Sequence, residues 1–397
     1  MLIGLVGKPN VGKSTFFKAA TLAEVEIANY PFVTIKPNHG TAYVKVECAE
    51  KELGTTCNPR LGYCIRGSRF VPVDTMDVAG LVEGAHEGKG MGNQFLDDLN
   101  QADVLIHVID CAGATNAKGE PVSPGTRDPA LDVRFLEAEL DHWYLRLIRK
   151  GWEKFSRAVN HKKSDLAKAL AKQLSSLGVS DKLCEAVLEF LELPLDLKEW
   201  SDSQVVLFAA ELRKATKPML VACNKMDLPG SKENLLRLRQ QFPGITFVAC
   251  SADAELALRE AAKRGLIDYI PGENHFETKK EAALTDGQRR GLDQIQKLLA
   301  GHASTGVQEA LDKAVFELLK YIAVFPGGVH KLEDSEGRRL PDCFLVPGGS
   351  TALDFAYRLH TDFGKKFIRA IDVKTRRTVG KEHVLNHRDV IEIIHNA

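Results

Sequence analysis

The sequence predicts an open, doubly wound α/β domain with a mostly parallel sheet, an α-helical insertion and a C-terminal β-grasp module. The chain begins with an apolar strand, a glycine-rich turn and a helix, a typical start for a parallel α/β sheet. Further apolar strands each end in a polar loop, and the residues from 323 onward change to short alternating strands around one helix. Because 397 residues exceed one ordinary core, we expect more than one domain.

The composition indicates a protein without a dominant surface charge. Lys and Arg together number 53, as do Asp and Glu, so the formal net charge is zero and any basic surface is local. We therefore expect neither a DNA nor a membrane partner. The apolar start Leu2–Val6 has no basic segment before it, and no apolar run approaches the roughly 20 residues of a membrane span. With eight scattered cysteines, these features predict a cytoplasmic location.

Three of the cysteines lie in one region of the chain. Cys57 and Cys64 flank the stretch "CNPRLGYC", and Cys48 lies a short distance upstream. A zinc knuckle needs four ligands at tighter spacing, so the sequence favours free thiols in a surface loop. Metal binding by these three residues is the alternative.

The stretch "GLVGKPNVGKST" predicts a phosphate-binding loop. Gly7, Gly12, Lys13 and Ser14 match the pattern G-x-x-x-x-G-K-[ST], with an apolar strand before it and a helical pattern after it. The glycines let the backbone wrap a phosphate at a helix N-terminus, Lys13 neutralises the outer phosphates, and the Ser14 hydroxyl can ligate Mg²⁺. The predicted nucleotide-binding residues of this loop are Gly7, Lys8, Pro9, Asn10, Val11, Gly12, Lys13, Ser14 and Thr15.

A second loop supplies the predicted metal contact. The stretch "VPVDTMDVAGL" predicts a strand from Val71 to Val78 that ends in a D-x-x-G pattern. Asp77 would hold a water of the Mg²⁺ ion, and the N–H group of Gly80 would face the γ-phosphate.

A third loop predicts which base the bound nucleotide carries. The stretch "KPMLVACNKMDLPG" gives a buried strand, residues 218–223, followed by Asn224, Lys225 and Asp227. The Asp227 carboxylate can accept two hydrogen bonds from guanine, which adenine cannot supply in that geometry. A buried polar group left unpaired in this way rejects the wrong ligand by roughly 10⁴-fold.

One more predicted strand, in "GITFVACSADAE", ends at Ser251 and Ala252, whose backbone suits a contact with guanine O6. The four loops follow the order of a nucleotide site, and each lies at the carboxyl end of a predicted strand. Such loops meet in one crevice of an open parallel sheet. The sequence therefore predicts a guanine nucleotide, GTP or GDP, as the ligand.

Residues 130–215 show helical spacing and predict an insertion between two strands of the nucleotide domain. From Arg146 to Lys172 the insertion carries nine Lys or Arg residues against two acidic ones. Such a run is either a solvated helix face or a contact to an RNA backbone. Both interpretations stay open at this point.

The segments "NYPFVTIKPNHG" and "DVAGLVEGAHEGKGMGNQFL" resemble the Obg-related GTPases, and most closely the YchF-type branch. This resemblance implies a Ras-like P-loop GTPase domain that hydrolyses GTP to GDP and phosphate. It also implies that Thr34 is the switch threonine that reaches Mg²⁺ and the γ-phosphate. YchF-type proteins usually carry Glu in the base-recognition motif and prefer ATP, whereas this chain has Asp227 in an NKxD motif. We therefore do not carry the ATP preference over.

The stretches "LPDCFLVPGGSTALDFAYRLHTDFGKKF" and "VGKEHVLNHRDVIEI" resemble the TGS domain of threonyl-tRNA synthetase and the RelA/SpoT enzymes, where its role is binding. The predicted domains are residues 1–129 with 216–322 for the nucleotide-binding domain and its C-terminal helices, 130–215 for the insertion, and 323–397 for the TGS domain. A basic edge for RNA is predicted at Lys365, Lys366, Arg369, Lys374, Arg376 and Arg377.

The predicted catalytic machinery has a gap. Ras-like enzymes carry a Gln after D-x-x-G to orient the attacking water, but here the residue is Leu81. Asn10 could instead coordinate a K⁺ ion between the phosphates, although an Asn in this loop can also be a turn former. His86 is a second candidate for the residue that takes over the role of the missing Gln. The predicted catalytic residues are Lys13, Thr34, Gly80 and Asn10.

These observations predict a GTP-hydrolysing switch that acts on the ribosome or on a translation-related structured RNA. We expect slow intrinsic turnover, about 10⁻⁴ to 10⁻² s⁻¹ by analogy with unassisted GTPases. One alternative is a YchF-like ATPase or nucleotide sensor, and another is an RNA-binding module with little intrinsic hydrolysis. The D-x-x-G and NKxD patterns together argue against a small-molecule kinase.

Overall fold

The computed structural model describes residues 1–22, 38–78, 98–158, 163–279 and 284–396. The chain folds as two compact units. The first contains Met1–Ser14 and Thr75–Ser251, and the second contains Thr15–Asp74 and Ala252–Ala397. None of the helices in these described ranges is both long enough and apolar enough to cross a membrane.

The strands of the described residues are short to medium in length. In chain order they are β1 (Leu2–Val6), β2 (His39–Glu47), β3 (Tyr63–Ile65), β4 (Ser68–Asp77), β5 (Val104–Asp110), β6 (Met219–Asn224), β7 (Thr246–Ala249), β8 (Ile267–Tyr269), β9 (Phe276–Thr278), β10 (Tyr321–Pro326), β11 (Phe344–Pro347), β12 (Phe367–Asp372), β13 (Arg377–Val379) and β14 (Val390–His395).

The α-helices lie in both units, and five of them, α2 to α6, follow one another between β5 and β6. In chain order they are α1 (Lys13–Thr21), α2 (Ala130–Arg149), α3 (Trp152–Ala158), α4 (Lys163–Gln173), α5 (Asp181–Phe190), α6 (Asp202–Thr216), α7 (Ser231–Gln241), α8 (Ala252–Lys263), α9 (Asp286–Gly301), α10 (Val307–Asp312), α11 (Ala352–Leu359) and α12 (Thr361–Lys365).

The first unit contains the parallel sheet that the sequence predicts. The order of its strands is β1-β5-β6-β7, and the carboxyl end of β4 lies on the other side of β1. All three pairings between β1, β5, β6 and β7 are parallel. Every residue of β5 is buried, as expected for a central strand covered on both faces. The register pairs Asp110 with Asn224, so the carboxyl ends of β5 and β6 lie side by side.

Five helices, α2 to α6, occupy the part of the first unit in which the sequence predicts an insertion. Their apolar faces share one hydrophobic core with side chains from the sheet, which includes the buried Leu140, Trp143 and Phe208. Trp200 packs edge-on against Phe208, with ring centroids 5.1 Å apart. The helical spacing of apolar residues in this part of the sequence therefore corresponds to helix faces that are buried in a bundle.

The second unit contains the C-terminal module that the sequence predicts. Its five strands have the order β11-β10-β14-β12-β13, with β10 and β14 parallel and the other pairs antiparallel. Helix α11 begins after Thr351, whose hydroxyl accepts from the N–H of Asp354 while the Asp354 carboxylate accepts from the N–H of Thr351. This capping box fixes the start of the helix. The predicted doubly wound α/β fold with a β-grasp module is confirmed.

Candidate functional site

The phosphate loop connects β1 to α1, and two of its glycines are required by close contacts. A Cβ atom on Gly7 would lie 2.4 Å from the carbonyl oxygen of Val108 in β5. A Cβ atom on Gly12 would lie 2.1 Å from the amide nitrogen of Asn224, and Gly12 also has a φ of +96°. Only glycine fits at these positions, because any side chain would push the loop away from the ends of β5 and β6.

The outer turn of the loop rests on the segment that follows β5. The ammonium group of Lys8 donates to the carbonyl of Thr115 at 3.0 Å and pairs with Asp132 at 2.7 Å. Lys8 is buried, and this burial lowers its pKa. Because its side chain is bound on the protein side, Lys8 supports the loop and leaves ligand contacts to its backbone.

Asn10 lies at the tip of this turn in the left-handed region, with a φ of 62°. Its side-chain nitrogen donates to the carbonyl of Gly119 at 2.9 Å. Both features favour the turn-forming role that the sequence left open. Coordination of K⁺ through the side-chain oxygen of Asn10 stays a prediction.

Lys13, Ser14 and Asp77 form the charged part of the site. The ammonium group of Lys13 pairs with one carboxylate oxygen of Asp77, and the Ser14 hydroxyl donates to the other at 3.2 Å. The side chains of Lys13 and Asp77 are 12% and 14% exposed, so solvent and ligands can reach this pair. A hydroxyl and a carboxylate are oxygen donors of the kind that Mg²⁺ prefers, so the residues present fit that ion.

The predicted base loop follows β6 at the same edge of the sheet. The side-chain amide of Asn224 donates to the carbonyl of Val11 at 2.8 Å. Lys225 has a φ of 65°, and its ammonium group donates to Asp110 at 2.9 Å. The Asp227 carboxylate is exposed and accepts a hydrogen bond of 3.0 Å from the buried Ser251 hydroxyl.

The structure brings most of the predicted site residues together at this edge. The residues from Gly7 to Ser14 follow β1 and the motif from Asn224 to Asp227 begins at the end of β6, two strands that each pair in parallel with β5. Asp77 ends β4, which lies next to β1. Thr15 lies in α1, and Ala252 begins α8 directly after Ser251. The predicted residues Thr34, Gly80, Leu81 and His86 lie outside the described residues.

Three residues that hold the site in place were not predicted from the sequence: Asp110, Asp132 and Gly119, which contacts the phosphate loop through its carbonyl. Asp110 ends β5, so its position at the carboxyl end of a predicted strand was a usable signal. Asp132 lies in the first turn of α2, and nothing in the local sequence indicates its pairing with Lys8. Gly119 lies in the segment between β5 and α2, and no sequence pattern indicates its contact with Asn10.

Three family models match the chain, and together they cover most of its length. Residues 2–127 match the model described as 50S ribosome-binding GTPase. Residues 222–328 match the model described as Obg-like GTPase YGR210-like, G4 motif-containing domain. Residues 329–395 match the TGS domain.

Individual proteins also match over nearly the whole chain. An uncharacterized GTP-binding protein of Methanocaldococcus jannaschii is 46% identical over 100% of this chain and 99% of its own length. The ribosome-binding ATPase YchF of Bacillus subtilis is 28% identical over 99% of each chain. The crystal structure of a GTP binding protein from Pyrococcus horikoshii OT3 aligns over 100% of both chains with a TM-score of 0.77 and 38% identity.

The position of Lys13 predicts that its ammonium group carries much of the phosphate affinity. We expect Lys13→Ala to weaken nucleotide binding about 100-fold, because a charge-assisted hydrogen bond to a phosphate is lost and the Asp77 carboxylate is left unpaired. Titration with a fluorescent nucleotide measures this loss. Lys18→Ala, an exposed lysine on the same helix, is the matched control and should bind normally. Equal affinities in the two variants would contradict the site assignment.

Proposed function

Because the chain belongs to the YchF-type branch of the Obg-like GTP-binding proteins, we propose that it binds GTP and GDP and hydrolyses GTP to GDP and phosphate. One observation carries this proposal: Asp227 lies at the same sheet edge as the pair formed by Lys13 and Asp77. A nucleotide with its phosphates at Lys13 would therefore present its base to Asp227.

The choice of guanine rests on the chemistry of Asp227. Its carboxylate accepts from Ser251 through one oxygen, and a carboxylate has further lone pairs for the N1–H and N2 amino groups of guanine. The buried Ser251 restricts the orientation of the carboxylate before the base arrives. Adenine has an acceptor at N1 and no amino group at C2, so it would offer the Asp227 carboxylate no hydrogen-bond donor at these positions. This argues against the adenine preference expressed in the names of some relatives.

The residues also support a role in hydrolysis. Phosphate oxygens can replace the Asp77 carboxylate as the partner of Lys13, which frees Asp77 to hold a metal-bound water. When bound, Mg²⁺ would neutralise charge on the outer phosphates, with Ser14 as a direct oxygen ligand. Because Leu81 cannot orient a water, we propose slow turnover that a partner accelerates.

We propose that this partner is the ribosome. The matching family model and the YchF relatives carry ribosome binding in their descriptions. In the first unit, an open groove of about 700 Å³ places the half-buried Trp152 beside Lys154 and Arg157, and Glu153 and Asp202 also line this groove. Aromatic and basic side chains in one groove are the combination that binds single-stranded RNA. This supports the RNA interpretation of the basic run in the helical insertion.

The predicted TGS edge offers a second basic surface. Lys365, Arg369, Arg376 and Arg377 are exposed, whereas Lys374 pairs with Glu52 within the second unit. The proposed domains stay residues 1–129 with 216–322, residues 130–215 and residues 323–397. The family models begin or end within seven residues of these boundaries, at residues 127, 222, 328 and 329.

The proposed base contact predicts a change of specificity. We expect Asp227→Asn to lower the affinity for GTP by at least about 10-fold and to raise the affinity for XTP, because the amide reverses one donor and acceptor. Competition between GTP and XTP in a hydrolysis assay measures both changes. Asp253→Asn, an exposed carboxylate in the first turn of α8, is the matched control. An unchanged base preference in the Asp227 variant would refute the pairing.

The switch hypothesis predicts that the two nucleotide forms differ in ribosome affinity. We expect the chain loaded with a non-hydrolysable GTP analogue to cosediment with ribosomes of its own organism at least about 10-fold more than the GDP form. Lys154→Glu combined with Arg157→Glu should weaken this cosedimentation and leave nucleotide binding intact. Equal binding of both nucleotide forms would contradict a switch, and would favour an RNA-binding module with little hydrolysis.

A further inference from the structure

A long connection in the second unit joins β2 to β3. Residues 48–62 contain no helix or strand, and such long loops are uncommon in compact domains and are often functional. The loop is held at its start, where the N–H of Cys48 donates to the carbonyl of Gly67 at 2.8 Å. It is also held at its centre, where the N–H of Cys57 donates to the carboxylate of Glu50 at 2.7 Å.

Four side chains of this region converge on one point. One ligand atom each from Cys48, Glu50, Cys57 and Cys64 lies within 4.8 Å of the three others. They come from different parts of the connection, since Cys48 follows β2 directly and Cys64 lies on β3. All eight cysteines of the chain are free thiols, so no disulfide accounts for this convergence.

We propose that Cys48, Cys57, Cys64 and Glu50 bind one Zn²⁺ ion. Zinc prefers four ligands in a tetrahedron, with Zn–S distances of about 2.3 Å and Zn–O distances of about 2.0–2.2 Å. Sulfur atoms at two corners of such a tetrahedron are about 3.8 Å apart. Because the four atoms already lie within 4.8 Å of one another, small side-chain rotations bring them to these distances.

A buried arginine beside the cluster supports the presence of thiolate charge. Arg69 is 1% exposed, and its guanidinium donates to the sulfur of Cys57 at 2.9 Å. Its other acceptors are backbone carbonyls of Leu61, Leu340 and Pro341. Among the acceptors of Arg69 within the described residues, the three carbonyls are neutral, whereas the Cys57 sulfur can carry a negative charge. A buried cation needs such a counter-charge, and metal-bound thiolates supply it.

The ion would have a structural role. The backbone N–H groups of Asn58 and Arg60 donate to the carbonyls of Arg339 and Pro341 at 2.9 and 2.8 Å. A metal that fixes the loop would therefore also fix the segment that leads into β11, within the same unit. Structural zinc sites contribute their binding free energy to folding, so metal removal should lower the melting temperature.

Cys343 is the natural control for the ligand set. It lies in the segment that the loop contacts, but its sulfur is not among the four converging atoms. Cys343→Ser should therefore keep the metal, whereas Cys57→Ser and Cys64→Ser should lose it. Glu50→Gln replaces the carboxylate by a neutral amide of the same size, and should weaken binding while leaving three thiolates in place.

The test is metal content and Co²⁺ titration of the full-length protein, purified under reducing conditions without chelator. We expect one zinc per chain and, with Co²⁺, the visible absorption of a tetrahedral site with sulfur charge-transfer bands. Cys57→Ser and Cys64→Ser should weaken Co²⁺ binding at least about 10-fold. Circular dichroism and nucleotide binding show that the variants are folded, because nucleotide binding depends on residues elsewhere in the chain.

Three outcomes would overturn the proposal. The first is a folded, fully reduced wild-type protein that binds neither ion stoichiometrically, since the cluster would then be hydrogen-bonded thiols only. The second is loss of metal in Cys343→Ser together with retention in Glu50→Gln, which would show a different ligand set. The third is a disulfide within the cluster that forms under the same buffer and excludes the metal.

Discussion

The hydrogen bond from the Asn224 amide to the carbonyl of Val11 is the contact on which the proposed nucleotide site depends. It joins the base loop to the phosphate loop at 2.8 Å and sets the separation between the two. Gly12 makes this contact possible, because any side chain there would occupy the position of the amide. The parallel pairing of β5 with β6 delivers Asn224 to this point. In the proposed site, the base and the phosphate group of one nucleotide would therefore bind at positions that the sheet determines.

Three lysines of the site each pair with one aspartate, and their surroundings give them different roles. Lys8 with Asp132 is buried, and breaking such a pair leaves an uncompensated charge away from water. It therefore acts as a permanent support. Lys13 with Asp77 is partly exposed, and we propose that a phosphate replaces Asp77 as the partner of Lys13 when a nucleotide binds. Lys225 with Asp110 joins a partly exposed ammonium group to a fully buried carboxylate, and this pair orients the base loop.

Much of the fold could be predicted from the sequence because its signals are local. The strand before Gly7, the NKxD motif after β6 and the capping box at Thr351 each depend on a few neighbouring residues. The supports of the site could not be predicted, because Asp132 and the carbonyl of Gly119 reach the phosphate loop only through the folded chain.

The cysteine cluster also could not be predicted from the sequence. Its members are too far apart in sequence for a zinc knuckle, and a folded loop brings them together. Lys374 was predicted as part of a basic edge, but its pairing with Glu52 depends on a contact distant in sequence.

We propose that Asp227 selects guanine in a family whose members include proteins named as ATPases. Calorimetric titration of the full-length protein with GTP, GDP and ATP, each with Mg²⁺ and in K⁺ and Na⁺ buffers, tests it most directly. We expect tight binding of GTP and GDP and at least about 100-fold weaker binding of ATP. ATP binding as tight as that of GTP would contradict it, because the carboxylate of Asp227 would then not be selecting the base.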